Sequence, residues 1–175
     1  MPEDWSKPHE IDPLADAGAE FAFAIPLADL PRLRGQLARP AGEVVGSVRF
    51  ARTEGRVVAD VRIAAQVPLT CQRCLAPLDW PIESRGAVVL VANAAQAERL
   101  PGDLETILAP EHRISVRDLA EEELLLVLPI VPRHAPGGCT GARSVRNVEP
   151  AGARAAQAEH HRPFAGLDEL MKKTR

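Results

Sequence analysis

Apolar and polar residues alternate with a period of two from Glu43 to Phe50 and again from Val57 to Val67. In the first run Val44, Gly46, Val48 and Phe50 share one face, and Glu43, Val45, Ser47 and Arg49 the other. In the second, Val57, Ala59, Val61, Ile63, Ala65 and Val67 face inward while Asp60, Arg62 and Gln66 face out. Successive side chains of a strand point to opposite faces, so each run predicts a half-buried strand, and Gly55 between them supplies the turn of a hairpin. The stretch "FAFAI" at 21–25 predicts an edge strand, and "IESRGAVVLVA" at 82–92, rich in β-branched residues, predicts a third long strand. Strands following one another through short connections pair most simply as an antiparallel meander.

The pattern changes to a helical one further on. In "ISVRDLAEEELLLVLPIVPRH" the residues Val116, Ala120, Leu124, Val127 and Leu128 fall on one face, Glu121 and Glu122 lie opposite, and Ser115 with Asp118 resembles a capping box. This predicts a helix over 115–128, ended by Pro129 and Pro132, and the adjacent carboxylates Glu121, Glu122 and Glu123 read as a solvated face. "NAAQAERLPGD" predicts a short helix stopped by Pro101 and Gly102, and "PLADLPRLRGQLARP" a loop with one helical turn. Residues 135–162 lack an apolar period and read as a flexible linker. After Pro163, the positions Phe164, Leu167, Leu170 and Met171 predict a short amphipathic helix over 163–173. The architecture expected is therefore α+β: an antiparallel meander or partial barrel over 21–134 with one main helix, then a basic linker and a C-terminal amphipathic helix.

Length and charge refine this picture. A chain of 175 residues can bury a core of its own as one domain, so a metal is not required to make it fold. No stretch reaches the roughly 18 apolar residues of a membrane span, and the first 20 residues are acidic without an apolar signal core. Three cysteines, an odd number, suit a reducing cytoplasm better than a secreted disulfide scaffold. The chain reads as soluble and unexported. Residues 1–20 hold six acidic side chains against one basic and are expected to be disordered. The formal charge of −3 hides a basic end, because residues 133–175 hold eight basic side chains against four acidic. Arg143, Arg146, Arg154, Arg162, Lys172 and Lys173 are thus the candidate contacts to a phosphate backbone, set against the plainer interpretation of a solvated surface. With no tyrosine, four phenylalanines and two tryptophans, base stacking has little to work with, so phosphate contacts and shape would have to carry any RNA binding.

The candidate chemistry centres on Cys71 and Cys74, two thiols in one tight turn after a strand. Structural zinc knuckles use this spacing, since both sulfurs reach one ion. His134 and Cys139, separated by proline and glycine, supply the other two donors that a tetrahedral site needs. A redox dithiol is the second alternative, although Pro77 and Pro81 argue against the helix that would lower the first thiol's pKa. Free cysteines without metal are the third. There is no nucleophile elbow around Ser47, Ser84, Ser115 or Ser144, no glycine-rich phosphate loop and no His-Glu-x-x-His, so no enzyme class is indicated.

Three blocks in order, "LTCQRCLAPL", "DLAEEELLLVLPIVPRHAPGGC" and "RPFAGLDELMKK", resemble the bacterial YceD family of large ribosomal RNA subunit accumulation proteins. The resemblance implies a non-enzymatic factor that supports synthesis, processing or stability of 23S rRNA and assembly of the large subunit. Its implied partners are rRNA or assembly intermediates, or a ribosomal protein or processing enzyme. Relatives carry a more cysteine-rich cluster where this chain has His134 and Cys139, which supports a metal-like role for that region. A zinc-stabilised interaction module unrelated to ribosomes is the alternative.

Overall fold

The computed structural model describes residues 4–139. The linker beyond Cys139 and the amphipathic helix over 163–173 lie outside the described residues. The described chain is α+β, a curled mixed sheet with few helices. In order, β1 is His9–Glu10, α1 Ile11–Ala17, β2 Glu20–Pro26, β3 Glu43–Thr53, β4 Arg56–Thr70, β5 Pro77–Val91, α2 Ala94–Ala97, β6 Thr106–Leu108, β7 Arg113–Ile114 and α3 Val116–Val127. The main sheet runs β2-β3-β4-β5-β6, and β1 pairs with β7 in a separate ribbon.

The alternating runs form the strands they predict. Thr53 pairs with Arg56 around a two-residue turn in which Glu54 and Gly55 take φ of 52° and 76°. Both values are positive, as the turn matching strand twist requires, and glycine makes the second inexpensive. Val57, Ala59, Val61, Ile63 and Val67 are all buried. One strand start departs clearly from expectation. β5 begins at Pro77 rather than 82, with Pro81 opposite Gln66. Its second neighbour, β6, reaches only Val89–Val91, so the prolines sit where β5 is an edge and no ladder N–H is lost. Moreover β6 lies parallel to β5, making the sheet an antiparallel four-strand meander with a parallel fifth strand.

Contrary to the expected disorder, residues 4–20 are part of the core domain. Ile11 and Ala15, four apart on α1, are buried, and β1 pairs His9 with Ile114. Two of the acidic side chains behind that expectation have partners in the fold: Arg52 donates from Nη2 to Asp12 at 2.9 Å and from Nε to Asp16 at 2.6 Å. Asp12 also meets His112 Nδ1 at 2.9 Å, and the guanidinium of Arg52 holds its carboxyl below the usual aspartate range.

The largest correction concerns α3. Ser115 caps it, its hydroxyl accepting from the Asp118 N–H at 3.1 Å, and Leu128 leaves the helix in an extended conformation before Pro129. Val116, Leu119, Ala120 and Leu124 face the sheet, yet Glu121 and Glu123 are buried as well, at 2% and 6% exposure. The helix is covered on two sides. The segment expected as a loop forms 3-10 turns at Leu27–Asp29 and Arg34–Gln36, and it buries Leu27, Leu30 and Leu33 completely beside α3. Glu121 Oε1 accepts the backbone N–H groups of Arg32 at 2.7 Å and Leu33 at 3.2 Å, which would otherwise be buried donors without partners. Glu123 accepts from the Ser84 hydroxyl at 2.5 Å. Of the positions expected on the apolar face, Val127 is exposed, whereas Leu128 packs half-buried against the core.

Glu121 is therefore an acceptor built into the core rather than a surface charge. Glu121→Ala should cost about 2–4 kcal/mol, since the buried Leu33 N–H is orphaned at roughly 1–3 kcal/mol and the part-buried Arg32 N–H adds about 1 kcal/mol. Glu121→Gln keeps an acceptor oxygen and should cost clearly less. Urea unfolding midpoints of both variants against wild type measure the difference.

Candidate metal centre

The hairpin of β4 and β5 places the first two donors. Thr70 is paired with Pro77, and the chain between them turns as a knuckle: the Cys71 N–H donates to the Ala76 carbonyl at 3.0 Å, and the Leu75 N–H to the Cys71 carbonyl at 2.9 Å. Leu75 takes φ of 61° to close the turn. The second pair arrives from the exit of α3. Pro129 and Pro132 stop the helix and direct the chain back across the knuckle, where the Gln72 N–H donates to the Pro132 carbonyl at 2.8 Å. His134 and Cys139 follow on this returning segment.

All four predicted donors are brought together: the ligand atoms of Cys71, Cys74, His134 and Cys139 lie within 4.8 Å of one another. Cys71 Sγ stands 3.8 Å from Cys139 Sγ, while His134 Nδ1 is 3.4 Å from Cys74 Sγ and 3.7 Å from Cys139 Sγ. A tetrahedral zinc with bonds of about 2.3 Å to sulfur and about 2.0 Å to nitrogen has edges of roughly 3.8 Å between sulfurs and roughly 3.5 Å from sulfur to nitrogen. Three of the six separations, at 3.8, 3.4 and 3.7 Å, match those edges, and the others lie within 4.8 Å. Histidine orientation fits too: Nε2 lies 3.2 Å from the Pro77 carbonyl, which can only accept, so Nε2 carries the proton and Nδ1 presents a lone pair to the sulfurs.

The electrostatics favour anionic sulfur. Burial pushes the Cys71 thiol up, but backbone hydrogen bonds from His134, Cys74 and Arg73, with the Cys74 side chain, outweigh it and bring it down to about 5. Burial likewise pushes Cys139 up, but hydrogen bonds from the Arg73 guanidinium, Cys74 and His134 together leave it lowered. For Cys74 a hydrogen bond from the Ala76 backbone pulls downward, while burial and the neighbouring Cys139 and Cys71 sulfurs leave it raised. His134 is raised by hydrogen bonds to the Cys139 and Cys71 sulfurs. The cluster can thus hold a cation with three sulfurs and one imidazole nitrogen. It suits redox exchange poorly: Cys71 is buried, and an attacking thiolate has to be reached by its partner disulfide. Its lowered pKa stems from hydrogen bonds of the His134 backbone and of Cys74 and Arg73 in the knuckle, with no helix starting there.

Sequence reasoning missed Arg73, which lies between the two cysteines and donates to Cys139 Sγ at 2.9 Å. The available signal was its position inside the knuckle, where a long side chain reaches whatever crosses above. The other candidate contacts, Arg143, Arg146, Arg154, Arg162, Phe164, Leu167, Leu170, Met171, Lys172 and Lys173, lie outside the described residues.

Comparison with known proteins places this cluster in a family context. Residues 59–171, which include all four donors, match the family model described as large ribosomal RNA subunit accumulation protein YceD. A protein of Haemophilus influenzae named "Large ribosomal RNA subunit accumulation protein YceD" is 30% identical over 177 residues, covering 95% of this chain and 97% of that one. No solved structure matches the chain.

Proposed function

Because the chain belongs to the YceD family of large ribosomal RNA subunit accumulation proteins, we propose that it supports the synthesis, processing or stability of 23S rRNA, and so large-subunit assembly, by binding rather than by catalysis. The observation that carries this proposal is the family match over residues 59–171, which spans the donor cluster and most of the basic C-terminal segment. Charge divides the labour. Residues 4–139 hold 14 basic side chains against 19 acidic, a net −5, whereas residues 140–175 hold seven against four, a net +3. A domain of that sign repels a phosphate backbone. Contact with rRNA or with assembly intermediates therefore falls to Arg143, Arg146, Arg154, Arg162, Lys172 and Lys173. Phe164, Leu167, Leu170 and Met171, on a short terminal helix, contact a ribosomal protein or a processing enzyme. With residues 135–139 held at the cluster, the part of the expected linker beyond Cys139 would give that arm its reach.

Within this function the Cys71, Cys74, His134 and Cys139 cluster holds zinc. The ion would be structural, since four protein ligands leave no position open for water or substrate. It would clip the segment after α3 to the β4–β5 knuckle. No helix among the described residues is long and apolar enough to cross a membrane, and we place the protein in the cytoplasm, where its thiols stay reduced.

Depletion of the protein should lower 23S rRNA relative to 16S rRNA and shift the subunit profile; an unchanged ratio with normal subunits would sink the ribosomal role. A zinc-stabilised interaction module unrelated to ribosomes would then stand. One observation favours it: at the exit of α3 the exposed apolar residues Leu126, Val127, Ile130 and Val131 follow closely along the chain and offer a surface to a protein partner.

A further inference from the structure

The knuckle contains a residue whose contacts are explained neither by folding of the strands nor by the four donors. Arg73 sits between Cys71 and Cys74 with its side chain largely in solvent, where an arginine normally remains free or meets a carboxylate. Among the described residues its partners are instead a sulfur and two carbonyl oxygens. Nε donates to Cys139 Sγ at 2.9 Å, and Nη2 donates to the His134 carbonyl at 3.1 Å, with the Ala135 carbonyl at 3.4 Å. One edge of a planar guanidinium thus spans the returning segment from His134 to Cys139.

That segment needs such a hold. Cys139 follows Gly137 and Gly138, and two successive glycines leave the approach of its sulfur weakly specified by the backbone. The turn preceding it is closed by the Gly138 N–H on the Ala135 carbonyl at 2.9 Å, which shapes the loop without aiming the thiol. Neighbouring knuckle residues grip the same segment earlier along the chain, Gln72 through the Pro132 carbonyl and Pro77 through His134 Nε2. Arg73 completes the series at Cys139. It also brings charge: three thiolates around a divalent ion leave a net −1, and the guanidinium offsets it within a domain of net −5.

We propose that Arg73 is a positioning residue of the metal centre, strapping the segment from His134 to Cys139 onto the knuckle so that the fourth donor stands in reach before the ion arrives. This rests on the zinc-binding function above. Lysine cannot replace it fully, because an ammonium is a point donor and does not present two parallel N–H groups from one plane.

The test uses the full chain with cobalt(II) and zinc(II) as probes, the cobalt spectrum reporting thiolate ligation and chelator competition reporting affinity. Arg73→Ala should bind either ion 10–100-fold more weakly, the range seen when partners of metal ligands are removed, and its cobalt spectrum should lose part of the thiolate charge-transfer intensity as Cys139 disengages. Arg73→Lys, which retains a cation and a donor and keeps the variant series informative if the alanine form fails to fold, should fall between. The circular dichroism of the chelator-treated variants should match wild type. Wild-type affinity and spectrum in both variants would overturn the role of Arg73 while leaving the metal site standing. Failure of the wild-type chain to take up either ion would overturn the metal site itself, and the strap with it.

Discussion

Cys71→Ser will leave the purified chain without stoichiometric zinc and lower its melting temperature by roughly 10 °C or more, an estimate from about 4 kcal/mol of linkage when free metal stands near a thousand times its dissociation constant. Cys71 is the most buried of the four donors and the one on which most backbone hydrogen bonds converge, so serine there removes a ligand that no neighbour can replace. The remainder of the domain should stay folded. Its core, from Ile11 through Phe50 and Val61 to Leu124, lies in the sheet and α3 and does not depend on the knuckle. The decisive control is a chelator, which should lower the melting temperature of wild type towards that of Cys71→Ser and leave the variant unmoved. Metal retained by the variant, or a chelator without effect on wild type, would show that the cluster holds no structural ion.

Gly46→Ala should be the most damaging single methyl in the sheet, costing about 3 kcal/mol or more, at or above the upper end of what overpacking usually costs. Gly46 lies on the inner face of β3, opposite Ile63 and Phe23 in the register. A Cβ there would stand 1.9 Å from the Arg62 carbonyl oxygen and 2.9 Å from Phe23 Cζ. The first of these is backbone, so relief requires β3 and β4 to separate locally, and their hydrogen bonds break. At Gly86, by contrast, the nearest atom is the Glu123 carboxylate, a side-chain end that can move. Soluble yield and denaturant midpoint measure the effect. Gly35→Ala and Gly102→Ala, where an added Cβ meets nothing within 4 Å, should change stability by less than about 0.5 kcal/mol. A Gly46→Ala protein as stable as these controls would mean the sheet curls less tightly at this point.

What the sequence made legible, and what it hid, follows from the range of the forces involved. The β3–β4 hairpin was readable because alternation and the Glu54–Gly55 turn are local, and the cap at Ser115 because three residues suffice to form it. The metal donors were readable as two pairs, since each pair is short and chemically distinctive. The N-terminal residues were misjudged because their acidic charge is balanced by Arg52 and His112, 36 and 100 residues away. The same applies to Glu121, whose partners are backbone N–H groups 88 and 89 positions earlier. A carboxylate that accepts from a distant main chain looks, in one dimension, like any surface glutamate. The parallel β6 strand has only three residues, too few for a period, and Arg73 makes contacts that require knowing what crosses the knuckle.

The donor cluster joins the middle of the chain to a point near its end, and that spacing has a consequence in time. Cys71 and Cys74 leave the translating ribosome 65 residues before Cys139, so at 5–20 residues per second the half-site waits about 3 to 13 s for completion. During that interval two thiols, already drawn together by their hairpin, are open to oxidation or to a poorly matched ion. An ion held by all four donors would thus record that synthesis has passed residue 139.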